Sequence, residues 1–175
     1  MTQLIRRVLM LVGLVIVVSA CTFKAPQLES AVSQFRAAVA PNHTAENVVW
    51  LASFNGQGAV LKPYLVEGFT VFANESGDAV AFDGWVVRSV VGFGREHALS
   101  VTDKDGVRSS VSHQMRFKAM CLVWQKLATQ GGYQWRQNCG NEGHGTVIDI
   151  DETDTIQGIT QGFGDLGELK LQSRR

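Results

Sequence analysis

From Asn47 onward the chain is cut into short apolar-rich runs by turn signals, and this cadence commits it to a largely β architecture. The runs are Asn47–Phe54, Ala59–Leu65, Thr70–Ala73, Ala79–Phe82, Trp85–Val91, Ala98–Thr102, Val107–His113, Arg116–Leu127, Tyr133–Cys139, Thr146–Ile150, Thr155–Thr160 and Glu168–Leu171. Between them stand Asn55-Gly56, Ser76-Gly77-Asp78, Asp83-Gly84, Lys104-Asp105-Gly106 and Asp151-Glu152-Thr153-Asp154, residue types that accept the backbone angles of tight turns. Side chains alternate along a strand, so Val107, Ser109 and Val111 face opposite to Arg108, Ser110 and Ser112. Short strands spaced by roughly 8–12 residues predict an antiparallel β-sandwich or a partly closed β-barrel. No period of roughly 20–50 residues recurs, which excludes propellers and solenoids. Residues 47–175 contain no linker and read as a single β domain.

The segment before that domain has a different pattern. Leu28, Val32, Phe35 and Val39 make one apolar stripe, which predicts one N-terminal helix over Ala25–Ala40, with Pro26 in its first turn and Pro41-Asn42 at its end. Further upstream, Met1 to Arg7 carry Arg6 and Arg7, Val8 to Val18 are apolar except for Gly13, and Ser19-Ala20-Cys21 follow. This is the charged, apolar and small-residue order of a secretory signal peptide over residues 1–20. Eleven residues at about 1.5 Å each reach roughly 16 Å, half of a hydrocarbon core of ~30 Å, so a spanning helix is the poorer account.

Val18-Ser19-Ala20-Cys21 resembles the lipobox of bacterial lipoproteins. The resemblance implies cleavage before Cys21, lipidation of its thiol and attachment to a membrane through acyl chains. Residues 21–46 would then be the lipidated N-terminus and short helix. Thr22 stands where that pattern places Asp for inner-membrane retention, which implies the periplasmic face of the outer membrane. Of the 16 basic and 16 acidic residues, the leader removes Arg6 and Arg7, leaving a mature charge of −2. Such a balance, without a basic stripe, argues against nucleic acid as a partner.

Export places the two remaining cysteines, Cys121 and Cys139, in an oxidising space where a disulfide persists. Met120–Leu127 and Tyr133–Cys139 read as two strands of a hairpin around the loop Ala128-Thr129-Gln130-Gly131-Gly132. Folding it about Gln130 sets Leu127 opposite Tyr133, Gln125 opposite Trp135 and Cys121 opposite Cys139. Cys121, Val123 and Leu127 would share a face with Tyr133, Trp135 and Cys139. No CxxC motif or nearby His makes a metal site of the pair.

Catalytic signatures are absent from the sequence. His43, His97, His113 and His144 are scattered, without HExxH or His-x-His spacing, and no G-x-S-x-G elbow occurs. Asp149, Asp151 and Asp154 imitate half of a calcium loop, but Asp154 and Thr160 occupy the positions that need Gly and Glu. A charged turn between two strands accounts for them. Gly92-Phe93-Gly94 and Gly162-Phe163-Gly164 read as strand bends whose Phe plugs an apolar gap. Trp50, Trp85, Trp124 and Trp135 are either flat platforms for sugar rings or core residues, and alternation favours the core. No catalytic residue, metal site or cofactor is expected.

The stretch from Phe72 to Gly94, with its Asp83-Gly84 turn and Val86-Val87-Arg88-Ser89 strand, resembles a hairpin of lipoproteins from group 4 capsule and related exopolysaccharide-export operons. Thr146–Asp151 through Ile156–Ile159 is similar to that family's closing hairpin. Trp85-Val86-Val87 departs from the family's basic-apolar-apolar run. The resemblance implies a non-catalytic outer-membrane lipoprotein assisting polysaccharide export or surface assembly, with an export-machinery protein or polysaccharide as partner. Trp85 and Arg88 are the candidate surface contacts, since alternation turns one of them outward. An envelope lipoprotein that binds another protein through a sheet edge, as an assembly factor, adhesin or inhibitor, is the first alternative. A small periplasmic hydrolase is the second.

Overall fold

The computed structural model describes residues 48–140 and 145–174, and none of them is helical. The leader, Cys21, the helix expected over Ala25–Ala40, His43 and His144 lie outside the described residues. Thirteen strands follow one another: β1 (Val49–Phe54), β2 (Gln57–Val66), β3 (Phe69–Ala73), β4 (Ala79–Phe82), β5 (Val87–Val91), β6 (Leu99–Lys104), β7 (Val107–Ser112), β8 (Met115–Met120), β9 (Gln125–Thr129), β10 (Gly132–Asn138), β11 (Gly145–Asp151), β12 (Ile156–Gly162) and β13 (Glu168–Arg174). They form a mostly β, antiparallel architecture: one curled half-barrel sheet in the order β8-β7-β6-β5-β4-β3-β2-β1-β13-β12-β11-β10-β9.

That order is the chain order bent round on itself. The first and last strands pair, with Val49 opposite Arg174 and Phe54 opposite Leu169. The sheet's two ends are then β8 and β9, which are consecutive in the chain. The run Arg116–Leu127, read from sequence as one strand, is divided there. Its first part pairs with β7 and its last part with β10, and Cys121 to Trp124 connect them. In a curled sheet one straight strand does not follow two neighbours that diverge, so the chain kinks. β2 makes a similar turn without breaking: Gln57–Leu61 pairs with β1 and Lys62–Val66 with β3. Pro63 lies past the handover, on the part with a single partner, where a missing N–H is tolerated.

Alternation places the core. Trp50, Ala52 and Phe54 of β1 point inward with Leu61, Phe72, Val80, Ile148, Ile159 and Leu171. The two Gly-Phe-Gly bends converge on Phe54, whose ring centroid lies 6.3 Å from Phe93 and 6.0 Å from Phe163. At Gly92, with φ +82°, an added Cβ would sit 2.8 Å from Asp78 Cα. A side chain there would push apart the contact in which Asp78 Oδ1 accepts the Phe93 N–H at 2.6 Å.

On β7 the polar face is the inward one. Arg108, Ser110 and Ser112 are buried, and Val107 and Val111 lie on the outer face. Arg108, only 3% exposed, donates Nε to Asp103 at 3.0 Å, Nη1 to Thr146 at 2.7 Å and Nη2 to Gln137 at 2.6 Å. Thr146 passes the chain on to Gln161 at 3.2 Å. Gln161 then clasps the Val87 backbone, accepting its N–H at 2.8 Å and donating to its carbonyl at 3.0 Å. Strands β5 and β7 are thereby tied to β10, β11 and β12 across the interior. A guanidinium so placed is tolerable only because its donors are met. Arg108→Ala strands Gln137 and Thr146, and is expected to lower stability by about 3–5 kcal/mol in urea unfolding.

Candidate functional site

Three of the four tryptophans meet beside the junction of β8 and β9. The Trp85 ring centroid is 5.1 Å from Trp124 and 5.5 Å from Trp135. Trp85 is 46% exposed, whereas Trp50 is buried in the core and lies 4.8 Å from Phe72. Trp124 and Trp135 are half-buried, each with one side against the core cluster.

Each ring is held by a different device. Trp85 precedes β5 in a turn rather than starting the strand, so alternation does not set its direction. Asp83 Oδ1 accepts the N–H groups of Trp85 at 2.9 Å and Val86 at 2.7 Å. Gly84 supplies the φ of +98° that closes this turn. Arg88 is half-buried and holds the other Asp83 oxygen at 2.6 Å, with Asp103 at 3.4 Å beyond it. Trp85 therefore projects into solvent while Arg88 stays in an ion-pair chain running Asp83, Arg88, Asp103, Arg108.

Trp124 is carried by the connector, which is fastened at both sides. Cys121 is disulfide-bonded to Cys139, and its N–H donates to Gly106 at 2.8 Å. Leu122 N–H donates to Asn138 and Gly140 N–H to Met120, both at 2.8 Å. Gln137, the Arg108 partner, also donates to the Leu122 carbonyl at 3.0 Å. The bridge thus joins the end of β8 to the end of β10.

The hairpin register differs by one residue from the expected one. Thr129 pairs with Gly132 around a two-residue turn, Gln130-Gly131, so Tyr133 faces Ala128, Gln134 faces Leu127 and Trp135 faces Lys126. Lys126, not Leu127, therefore shares the inner face with Tyr133 and Trp135. The cysteines still meet because the connector contains one residue more than the strand opposite it.

Trp135 lies beside Ile148, which is 1% exposed, so this face continues the core outward. The Lys126 ammonium stands 3.6 Å from the Tyr133 ring centroid and 5.8 Å from that of Trp135. Tyr133 donates its hydroxyl to Asp154 at 2.9 Å, and that bond to a carboxylate raises the phenol pKa above its ordinary value. The assembled face has aromatic walls, an ammonium and a phenol rim.

Asp151 organises the expected charged turn, accepting Thr153 and Thr155 N–H groups at 2.9 and 3.0 Å, and its carboxyl lies below the usual range, chiefly through the Thr153 hydroxyl. Asp149 accepts Gln134 at 2.6 Å. Among the described residues no group of His, Cys, Asp and Glu could hold a metal ion. His97 and His113 are brought together, exposed and stacked at 4.2 Å. Sequence reasoning assigned Trp124 and Trp135 to the core and did not connect Lys126 with them. Strand parity carries that signal, but only once the register is known.

No protein-family model matches the chain, and no curated protein matches it. The chain is similar in fold to a solved structure, the hypothetical lipoprotein YmcC from Escherichia coli K12, at TM-score 0.50 and 13% identity, covering 82% of this chain and 95% of that one. The likeness defines an architecture, a curled antiparallel meander, common to both chains.

Two outcomes are expected of this site. Replacing Cys121 and Cys139 by Ser should cost about 3 kcal/mol and weaken the near-ultraviolet circular dichroism of the coupled tryptophans. Burial opposes charge on Asp83, but the Val86 and Trp85 N–H groups and the Arg88 guanidinium outweigh it and lower its pKa. A lowered folded pKa gives stability that is present above the ordinary value of 3.8 and is lost as pH falls through the folded value. The stability gap between wild type and Asp83→Asn should therefore be full at neutral pH and shrink below about pH 4, as read by urea midpoints.

Proposed function

We propose that this chain is a non-catalytic lipoprotein, held by acylated Cys21 on the periplasmic face of the outer membrane, that assists export of capsule or exopolysaccharide. The observation that carries the reading is the aromatic cluster of exposed Trp85 with half-buried Trp124 and Trp135, whose rings suit the flat C–H surfaces of sugars. The lipobox resemblance accounts for the anchor. The hairpin resemblance over Phe72–Gly94 supports the export role, and the neighbour's description as a lipoprotein agrees with the anchor. Trp85 keeps the role of surface contact, with Arg88 as the residue that sets its turn. The aspartates Asp83 and Asp103 are engaged by Arg88 and Arg108, which gives little support to a hydrolase built on them.

A second reading rests on a separate feature. All five residues of β9 are exposed at a sheet edge, beside Leu122 at 59% and Val123 at 81% exposure. Such an edge fits an export-machinery protein that adds a strand. Deleting the gene should reduce surface polysaccharide, and Cys21→Ser should release the protein from membranes and give the same loss. Unchanged polysaccharide in the deletion strain would overturn the proposal.

A further inference from the structure

We infer that the face formed by Trp85, Trp124, Trp135, Tyr133 and Lys126 binds an acidic glycan, one whose sugar rings carry carboxylates. The inference deepens the export reading and takes its biological sense from it. Its basis is the combination of flat rings with one unpaired cation. Lys126 is exposed and forms no ion pair among the described residues, although its ammonium lies over Tyr133 and near Trp135. Aromatic faces are electron-rich and attract both cations and polarised C–H groups.

An apolar partner covering this face would strip water from the ammonium and offer no counter-charge, an expensive arrangement. A neutral sugar would fill the aromatic surface and leave the charge unused. A uronate satisfies both requirements: its C–H face stacks on the rings and its carboxylate pairs with Lys126. Trp135 and Tyr133 stand two positions apart on one face of β10, about 6.8 Å along the strand at ~3.4 Å per residue. Neighbouring sugar rings of one chain can thus be engaged together. Asp154, which accepts the Tyr133 hydroxyl, puts a negative charge on the Tyr133 side of the face and opposes a second carboxylate there.

The test uses the full-length chain in detergent micelles with two probes, a β-1,4-linked glucuronate hexamer and cellohexaose. They share a backbone and differ in the C6 carboxylate. Tryptophan fluorescence titration is expected to show the glucuronate binding about threefold to fivefold tighter, with the difference vanishing at high salt. Lys126→Gln should abolish the preference and bring the two affinities together, and a preference that survives it overturns the role of the ammonium. Trp85→Ala should weaken both by about tenfold or more. Both residues are exposed, and unchanged urea midpoints would show that the variants fold. Equal affinity for the two oligomers overturns the acidic preference. Binding that survives Trp85→Ala overturns the site. If neither oligomer binds while gene deletion still lowers surface polysaccharide, this inference fails and the export role stands.

Discussion

A buried guanidinium ties the two arms of this half-barrel together across the interior. Arg108 reaches from β7 to Asp103 on its own side and to Gln137 and Thr146 on the far side. Coulomb attraction in a poorly polarisable interior is strong, but so is the cost of desolvation. The balance is favourable only when every partner is in place. Gln161 extends the same logic without charge, using its carboxamide to copy a strand's donor and acceptor against Val87. A sheet held by polar contacts of fixed direction has less freedom to slide than one packed by apolar groups alone.

The connector between β8 and β9 follows from the sheet order. Because β8 and β9 are consecutive yet occupy opposite ends of the sheet order, the chain must cross from one to the other through Leu122, Val123 and Trp124. The Cys121–Cys139 bridge and the flanking backbone bonds restrain that crossing. Trp124 is presented to Trp85 as a result, so the covalent staple and the aromatic face belong to one construction. Gln137 joins them to the interior, since it contacts both Arg108 and the Leu122 carbonyl.

Legibility in the sequence varied with the range of the interaction involved. Each run read from turn signals overlaps an observed strand, because alternation and turn chemistry are local properties. The cysteine pairing was legible for the same reason. The hairpin register was not, because a two-residue turn with a compensating extra residue in the connector gives the same cysteine meeting as a five-residue loop. Nor did alternation on β7 reveal which face is inner: an Arg-Ser-Ser face normally meets water, and only partners distant in the chain make it a core face.

The candidate site shows this division most sharply. From sequence alone come the β class, the approximate places of the strands along the chain and the cysteine pairing. Which tryptophans gather, and that Lys126 rather than Leu127 joins them, was decided by tertiary structure. The physical reason is that a side-chain period of two leaves a single-residue slip locally invisible, while it exchanges every inward side chain for an outward one. Packing between strands far apart in the chain removes that ambiguity.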